Sequence, residues 1–296
     1  MKNLSEANIT DAVIQTFDQT ENARLKEIMS ALVKHLHAFV REVNLTEEEW
    51  ITGIHFLTAT GRMCDERRQE FILLSDTLGV STLKDLLNHR KPAGTTEWSI
   101  LGPFYRAGAQ ELALGESIAG NMAGDATVVS GRVLDVEGKP IANALLDVWQ
   151  ADAEGFYDLQ KPVPTSEGMD ASRMELRGRF RTNENGEYVF RTIKPSYYPI
   201  PEDGPVGKML RAVGRHPYRP AHIHFQVSAD GHVPLTTELY LNGDPYLESD
   251  VVFGVRSSLV IDVVKNDSLE DAARYRVGAP FYTVAYDFVM ERDANG

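Results

Sequence analysis

Polar and apolar side chains alternate along Arg219-Pro220-Ala221-His222-Ile223-His224-Phe225-Gln226-Val227, as they do in a β-strand with two unlike faces. His222, His224 and Gln226 therefore share one face of the predicted strand, and the other face is apolar. Two imidazoles that point the same way are able to hold a metal ion. The same pair also fits two polar residues on a solvated strand face, so this motif by itself leaves both interpretations open.

Short β-branched runs separated by turn residues lie on both sides of this strand. The runs cover residues 128–136, 144–150, 187–191, 222–227 and 259–264. Because no helical pattern separates them, they predict an antiparallel β-sandwich or barrel and not a parallel sheet.

The N-terminal third of the chain has a helical pattern instead. Apolar residues follow the spacing of one helical face over residues 24–40, and Thr46 with Glu49 predicts a capping box at the start of the next helix. Further helices are predicted at 65–74 and 82–88, before a breaker cluster at 91–94. The fold class is therefore α+β, with a helical domain over residues 1–98 and an antiparallel β-sandwich catalytic domain over residues 99–296.

Composition and charge exclude several classes of protein. The net charge of −13 disfavours nucleic acid and anionic lipid as partners. No apolar run approaches the roughly 20 residues of a membrane span. Cys64 is the single cysteine, and residues 1–20 contain no apolar stretch typical of a secretory signal. We therefore interpret the chain as cytoplasmic.

Tyrosines beside turn residues add a second set of candidate ligands. Tyr157 follows Gly155, and Tyr197 and Tyr198 lie between prolines. A tyrosine packs more often than it binds metal. If two tyrosinates do join the two imidazoles, their hard anionic oxygens favour iron(III) over zinc.

Several motifs together resemble those of the intradiol ring-cleaving dioxygenases. They are Leu101-Gly102-Pro103-Phe104-Tyr105, Asp147-Val148-Trp149-Gln150-Ala151-Asp152, Gly155-Phe156-Tyr157-Asp158, Arg219-Pro220-Ala221-His222-Ile223-His224 and, in the helical region, Phe71-Ile72-Leu73-Leu74-Ser75-Asp76. The resemblance covers most of the chain. It implies an enzyme that uses O2 to open a benzene ring between two adjacent hydroxyl-bearing carbons.

The resemblance also implies the members of the metal site. Its Fe(3+) ligands would be Tyr157, Tyr198, His222 and His224, with a water or hydroxide beside them. The choice of Tyr198 over Tyr197 depends on aligning Pro195 and on the family's spacing to the first histidine. Tyr198 would act as a base towards the substrate, and Arg219 would neutralise charge that builds up on the ring.

A substrate pocket is implied in the same way. Its lining would be Leu73, Asp76, Ile100, Leu101, Gly102, Pro103, Ile200, Pro201, Arg219 and Val252. Asp76 is a candidate hydrogen-bonding partner for a third hydroxyl group. Glu238 stands where catechol-cleaving relatives carry Gln, and its carboxylate either alters the polarity near the iron or points outward.

Three functions follow as hypotheses. The first is cleavage of hydroxyquinol (1,2,4-trihydroxybenzene) to 3-hydroxy-cis,cis-muconate or its tautomer maleylacetate. The second is cleavage of catechol to cis,cis-muconate, and the third is a non-catalytic β-sandwich module that binds a metal.

The apolar faces of the helical domain raise a separate question. They either cover one another or pair across a homodimer, which in this family encloses a tunnel often occupied by a phospholipid. We favour the dimer, because the sandwich and a few helices do not obviously bury every face of the amphipathic helix at 24–40.

Overall fold

The computed structural model describes residues 3–65, 68–90, 92–161, 163–165, 168–170 and 174–293. The chain divides into two compact units, Met1–Arg62 and Met63–Gly296. The boundary predicted at residue 98 marks the change from helices to strands. The compact units instead divide between Arg62 and Met63.

The helices of the described residues lie mostly in the N-terminal third. In chain order they are α1 (Ile9–Gln15), α2 (Ala23–Glu42), α3 (Glu47–Arg62), α4 (Glu70–Thr77), α5 (Val80–Asn88), α6 (Pro205–Ala212) and α7 (Leu269–Tyr275). The capping box forms before α3, where the Glu49 amide donates to Thr46 Oγ1 at 3.3 Å and the Thr46 amide donates to Glu49 Oε2 at 2.9 Å. Helix α4 begins five residues later than predicted, and before it the Arg68 amide donates to Asp65 Oδ1 at 2.7 Å.

The strands follow from residue 126 onward. They are β1 (Ala126–Asp135), β2 (Leu145–Gln150), β3 (Val163–Thr165), β4 (Gly168–Asp170), β5 (Arg177–Arg181), β6 (Glu187–Ile193), β7 (Tyr198–Pro199), β8 (Tyr218–Arg219), β9 (His222–Ser228), β10 (Leu235–Leu241), β11 (Val260–Ile261), β12 (Val264–Asn266), β13 (Phe281–Ala285) and β14 (Phe288–Met290). One five-stranded sheet has the order β12-β13-β1-β14, with β6 also paired to β1. The other has the order β11-β10-β9-β2-β5, and β3-β4 and β7-β8 form two-stranded ribbons.

The prediction of purely antiparallel sheets was wrong in one respect. Strand β1 pairs parallel with β13 and β14, and β10 pairs parallel with β11. Parallel neighbours arise because the C-terminal strands return to β1 after a long crossover, and local turn patterns carry no information about such distant partners.

The core lies between the inner faces of the two five-stranded sheets. Strand β9 contributes Ile223, Phe225 and Val227, each fully buried in this core. His222 and His224 consequently occupy the opposite face of β9. None of the helices formed by the described residues combines the length and the apolar composition that crossing a bilayer requires.

Candidate active site

Strand register assembles the first part of the site around His222 and His224. Across β10, Glu238 is the partner of His224 and Tyr240 is the partner of His222. Across β2, Trp149 is the partner of His224, and the two rings stack with centroids 4.7 Å apart and planes 7° from parallel. The His224 ring therefore has a defined plane on the outer face of the sheet.

The two predicted tyrosine ligands reach this face from different segments. Tyr157 follows the Gly155 turn, where φ is +87° and an added Cβ would lie 2.7 Å from the Tyr197 carbonyl oxygen and 2.8 Å from Tyr198 Cβ. Only glycine permits this approach of the two segments. Tyr198 is the partner of Arg219 in the β7-β8 ribbon, which holds it beside the guanidinium.

The polar atoms of these side chains converge. Tyr157 Oη lies 3.4 Å from His222 Nε2 and 3.1 Å from His224 Nε2, and the two Nε2 atoms are 3.1 Å apart. The Tyr198 ring packs edge-on against Tyr157, with centroids 5.4 Å apart, and lies 5.6 Å from the His222 ring. All four side chains are buried. The structure thus brings the four predicted ligands together.

Tyr197 lies apart from this group, although it precedes Tyr198. Its side chain is 41% exposed, and its ring packs on Tyr218 and Tyr246. The two adjacent tyrosines therefore have different surroundings, and only Tyr198 faces the histidines.

The histidines present lone pairs to one another. His222 Nδ1 donates to the Pro220 carbonyl oxygen at 2.7 Å, which leaves Nε2 unprotonated in the neutral ring. Burial, aided by Arg219, lowers the pKa of His222 to about 4, and burial also holds the pKa of His224 well below its ordinary value. Both rings are therefore neutral at pH 7. For His224, Glu238 Oε1 lies 3.2 Å from Nδ1, which favours the proton on that atom.

Nitrogen lone pairs held this close suit a cation between them, so the donor set fits a metal ion. Two ligand atoms that each lie about 2.1 Å from one ion are roughly 3.0 to 3.4 Å apart, as these atoms are. Burial raises the pKa of Tyr157 well above its ordinary value, and burial outweighs Arg219 in raising the pKa of Tyr198. A bound cation reverses this preference and stabilises the phenolates.

Glu238 is a further group that sequence reasoning did not place. It is fully buried and points inward, and with His222 and His224 it offers ligand atoms within 4.8 Å of one another. Its oxygens are bound to Arg219, however, at 2.8 Å for Oε1 and 3.0 Å for Oε2. We therefore assign Glu238 to Arg219 and not to the set of metal ligands.

Arg219 is held between two carboxylates. Besides Glu238, it donates to Asp250 from Nε and Nη2, each at 3.3 Å, and its Nη1 lies 3.2 Å from His222 Nε2. Burial alone would lower the pKa of Arg219, but Asp250 and Glu238 keep it well above its ordinary value. Burial would raise the pKa of Glu238, but the charge of Arg219 holds it below its usual range. The guanidinium is thus permanently charged and fixed beside the histidines.

The predicted pocket residues divide into two groups. Leu73, Ile100, Ile200 and Val252 pack in one apolar cluster with Leu210 and Val251. Gly102 lies against His224, since an added Cβ would be 3.2 Å from the ring carbon Cε1. In contrast, Leu101 and Pro103 are exposed, and Pro201 is half-buried outside that cluster.

Asp76 is half-buried on α4. Burial raises the pKa of its carboxyl, and the Ser81 side chain and the charge of Arg219 oppose the rise. Its carboxyl group thus lies within range of the charges of Arg219 and Glu238.

Comparisons with known proteins identify two family models that match this chain. Residues 22–96 match the family model described as "Catechol dioxygenase N terminus", and residues 100–292 match the model described as "Dioxygenase". The two matches together span most of the chain.

Individual relatives cover nearly its whole length. The chain is 48% identical to a hydroxyquinol 1,2-dioxygenase of Rhizobium sp., with 97% of this chain and 96% of the relative aligned. It is 51% identical to a 6-chlorohydroxyquinol 1,2-dioxygenase of Cupriavidus pinatubonensis, over 90% of this chain and 94% of the relative. The solved structure of hydroxyquinol 1,2-dioxygenase from Pseudomonas putida DLL-E4 superposes with a TM-score of 0.90 at 46% identity, covering 97% of this chain and 99% of that one.

The sequence motifs and the similarity to these relatives both extend over the β-sandwich and the helices before it. Both indicate the same family. The chain belongs to the intradiol ring-cleaving dioxygenases.

Proposed function

We propose that the protein is an iron(III) enzyme that cleaves hydroxyquinol with O2 between its two adjacent hydroxyl-bearing carbons. The product is 3-hydroxy-cis,cis-muconate, which tautomerises to maleylacetate. The observation that carries the proposal is the convergence of Tyr157 Oη, His222 Nε2 and His224 Nε2 within 3.4 Å in a buried site. The names of the relatives favour hydroxyquinol as the substrate.

The residues that would hold the iron are Tyr157, Tyr198, His222 and His224. They supply two phenolate oxygens and two imidazole nitrogens, a set that suits a hard trivalent ion. When bound, iron(III) supplies Lewis acidity, which acidifies the substrate hydroxyls and activates the ring.

Tyr198 is the proposed base. Its hydroxyl is buried beside Arg219, whose fixed positive charge would stabilise the phenolate together with a bound cation. It therefore accepts a proton from a substrate hydroxyl and retains it within the site.

The role that we propose for Arg219 is to stabilise negative charge on the substrate ring. Its Nη1 atom lies at the edge of the metal site, 3.2 Å from His222 Nε2. Glu238 and Asp250 hold the guanidinium in place before the substrate arrives, so no reorganisation is needed when negative charge develops on the ring.

The pocket explains the proposed choice of substrate. Leu73, Ile100, Ile200 and Val252 form an apolar wall that excludes water. A third hydroxyl group buried against such a wall costs about 1–3 kcal/mol unless it is hydrogen-bonded. We assign that hydrogen bond to Asp76.

Catechol is the second candidate substrate, because residues 22–96 match the family model named for catechol dioxygenases. Family membership argues against a non-catalytic metal-binding module.

An assay of the purified protein with hydroxyquinol and catechol side by side tests the proposal. We expect kcat/KM for hydroxyquinol to exceed that for catechol by at least about tenfold, because catechol leaves the polar partner unpaired. Equal or faster cleavage of catechol would move the assignment to the catechol-cleaving branch.

The metal is tested by colour and by elemental analysis. We expect a red protein with close to one iron per chain, because a phenolate bound to iron(III) absorbs visible light by charge transfer. Tyr157→Phe removes the charge donor that we assign and should weaken this absorption. A colourless wild-type protein loaded with zinc would contradict the iron assignment.

A homodimer with a bound phospholipid is proposed for the helical region. Helix α2 has no buried residue, and the apolar side chains along it are about half exposed: Leu25, Ile28, Leu32, Leu36 and Phe39. We expect a particle of about twice the chain mass of 33.0 kDa and a lipid that organic solvent extracts. A lipid-free monomer would contradict both statements. A cytoplasmic location stays a prediction from the sequence.

A further inference from the structure

Glu238 lies at the meeting point of the charged network and the metal site. Its side chain is fully buried, and the strand register places it opposite His224. Oε1 lies 2.8 Å from Arg219 Nη1 and 3.2 Å from His224 Nδ1. Oε2 accepts hydrogen bonds from Arg219, from Ser99 Oγ at 2.7 Å and from the Tyr240 hydroxyl.

His224 Nδ1 needs such a partner. The atom is buried, and Glu238 Oε1 lies 3.2 Å from it in a contact that is not a hydrogen bond. Within the described part of the chain, Nδ1 has no hydrogen-bonding partner. The stacked Trp149 ring fixes the plane of the imidazole and so limits any movement of Nδ1 away from Glu238.

The surroundings of Glu238 select a carboxylate over an amide. The guanidinium of Arg219, the hydroxyl of Tyr240 and the hydroxyl of Ser99 all donate towards it. A carboxylate offers only acceptors, whereas the NH2 group of an amide would face other donors. The chemistry of the site therefore uses the negative charge of Glu238 and not merely its shape.

We propose that Glu238 is a positioning residue of the metal centre. The negative charge of its Oε1, 3.2 Å from Nδ1, favours the form of neutral His224 that carries its proton on Nδ1, so that the lone pair of Nε2 faces Tyr157 and His222. Its charge makes His224 a stronger donor to the metal, as a carboxylate behind a ligating imidazole does. Arg219, Ser99 and Tyr240 keep the carboxylate behind the imidazole. This inference rests on the proposed iron site.

Asp250 provides a matched control. It also pairs with Arg219, and it accepts the backbone amides of Val252 at 3.3 Å and Gly254 at 2.9 Å. Its hydrogen bonds are to Arg219 and to the backbone, not to either imidazole. A loss of charge at Asp250 therefore disturbs Arg219 without withdrawing an acceptor from His224.

The experiment compares Glu238→Gln, Glu238→Asp and Asp250→Asn in the iron-loaded protein. The readouts are the wavelength of the phenolate-to-iron absorption, the rate at which a ferric chelator removes the metal, and kcat and KM. Glu238→Asp keeps the charge but draws the carboxylate away from Nδ1, so it separates the contact with His224 from the charge beside Arg219. It also provides the test should Glu238→Gln fail to fold.

We expect both Glu238 variants to absorb at longer wavelength, because weaker donation from His224 leaves the iron more electron-poor. Iron removal should be on the order of tenfold faster or more. Asp250→Asn should keep the wild-type absorption and rate of iron removal, and its effect should be confined to kcat and KM.

Two results would overturn the inference while leaving the iron site in place. In one, the Glu238 variants keep the wild-type absorption and iron retention. In the other, Asp250→Asn shifts the absorption as far as they do, which would indicate a general field effect. A colourless wild-type protein would instead overturn the iron assignment, and this inference with it.

Discussion

Replacing Gly102 with alanine tests whether the segment before the sandwich lies against the metal site. The added Cβ would be 3.2 Å from His224 Cε1 and 3.7 Å from Nε2. Carbon atoms pack best at about 3.5–4.0 Å, so the segment or the ring must move by about 0.3–0.8 Å. Trp149 stacks on the ring and limits its retreat. Since a displacement of about 1 Å at a reacting centre can cost 100-fold, we expect about a tenfold fall in kcat/KM.

Gly108→Ala is the control for this substitution. Gly108 has a φ of +89° and Gly102 a φ of +72°, so alanine at either position costs roughly 1–2 kcal/mol of stability. Nothing lies within 4 Å of a Cβ at Gly108. Oxygen uptake and thermal unfolding of both variants separate the two effects: we expect similar losses of stability, and a loss of activity for Gly102→Ala alone. Equal activity in the two variants would refute the placement of Gly102 beside His224.

Three other predictions follow from single side chains. Tyr198→Phe should abolish turnover while Tyr197→Phe keeps iron and activity, because only Tyr198 faces the histidines; the reverse pattern in oxygen uptake would show that the assignment is off by one residue. Asp76→Asn should lower the ratio of kcat/KM for hydroxyquinol to kcat/KM for catechol, because cleavage of hydroxyquinol becomes slower. An equal fall in kcat/KM for both substrates would count against the assigned hydrogen bond. Asp135→Asn should lower stability to urea at pH 7 but less so at pH 3. The Arg292 side chain and the Lys139 amide lower the pKa of Asp135 from 3.8 to about 2, so its stabilising charge is fully present above 3.8 and is lost as the pH falls towards 2. If Asp135→Asn lowered the stability to urea equally at pH 7 and pH 3, this prediction would be wrong.

Local patterns predicted individual elements well. The alternation at 222–227 corresponds to β9 (His222–Ser228), and the helical spacing at 24–40 corresponds to α2 (Ala23–Glu42). Both patterns depend only on neighbouring residues. The parallel pairing of β1 with β13 joins Thr127 to Tyr282, and no local pattern reports such a distant partner. Helix α6 was not predicted, since its eight residues are too few to show a clear period.

In the candidate site, too, sequence patterns did not predict contacts between residues that are distant in the chain. Motifs supplied Tyr157, Tyr198, His222 and His224 as a set, because family resemblance already contains the three-dimensional arrangement. Glu238 was left with two possible orientations, and the structure shows it pointing inward and fully buried. The remaining network of Ser99, Tyr240 and Asp250 was missed, because strand register and a distant loop bring it together. Only Tyr240 carried a signal, as it lies two residues after Glu238 on the same strand face.

Isotopic analysis of the product tests whether the protein performs intradiol cleavage. The iron-loaded protein would be incubated with hydroxyquinol under ¹⁸O2, and the ring-opened product analysed by mass spectrometry. We expect a dicarboxylate cleaved between the two adjacent hydroxyl-bearing carbons, with both atoms of one O2 molecule incorporated. A product opened at a neighbouring bond and carrying an aldehyde, or a product without the label, would contradict it.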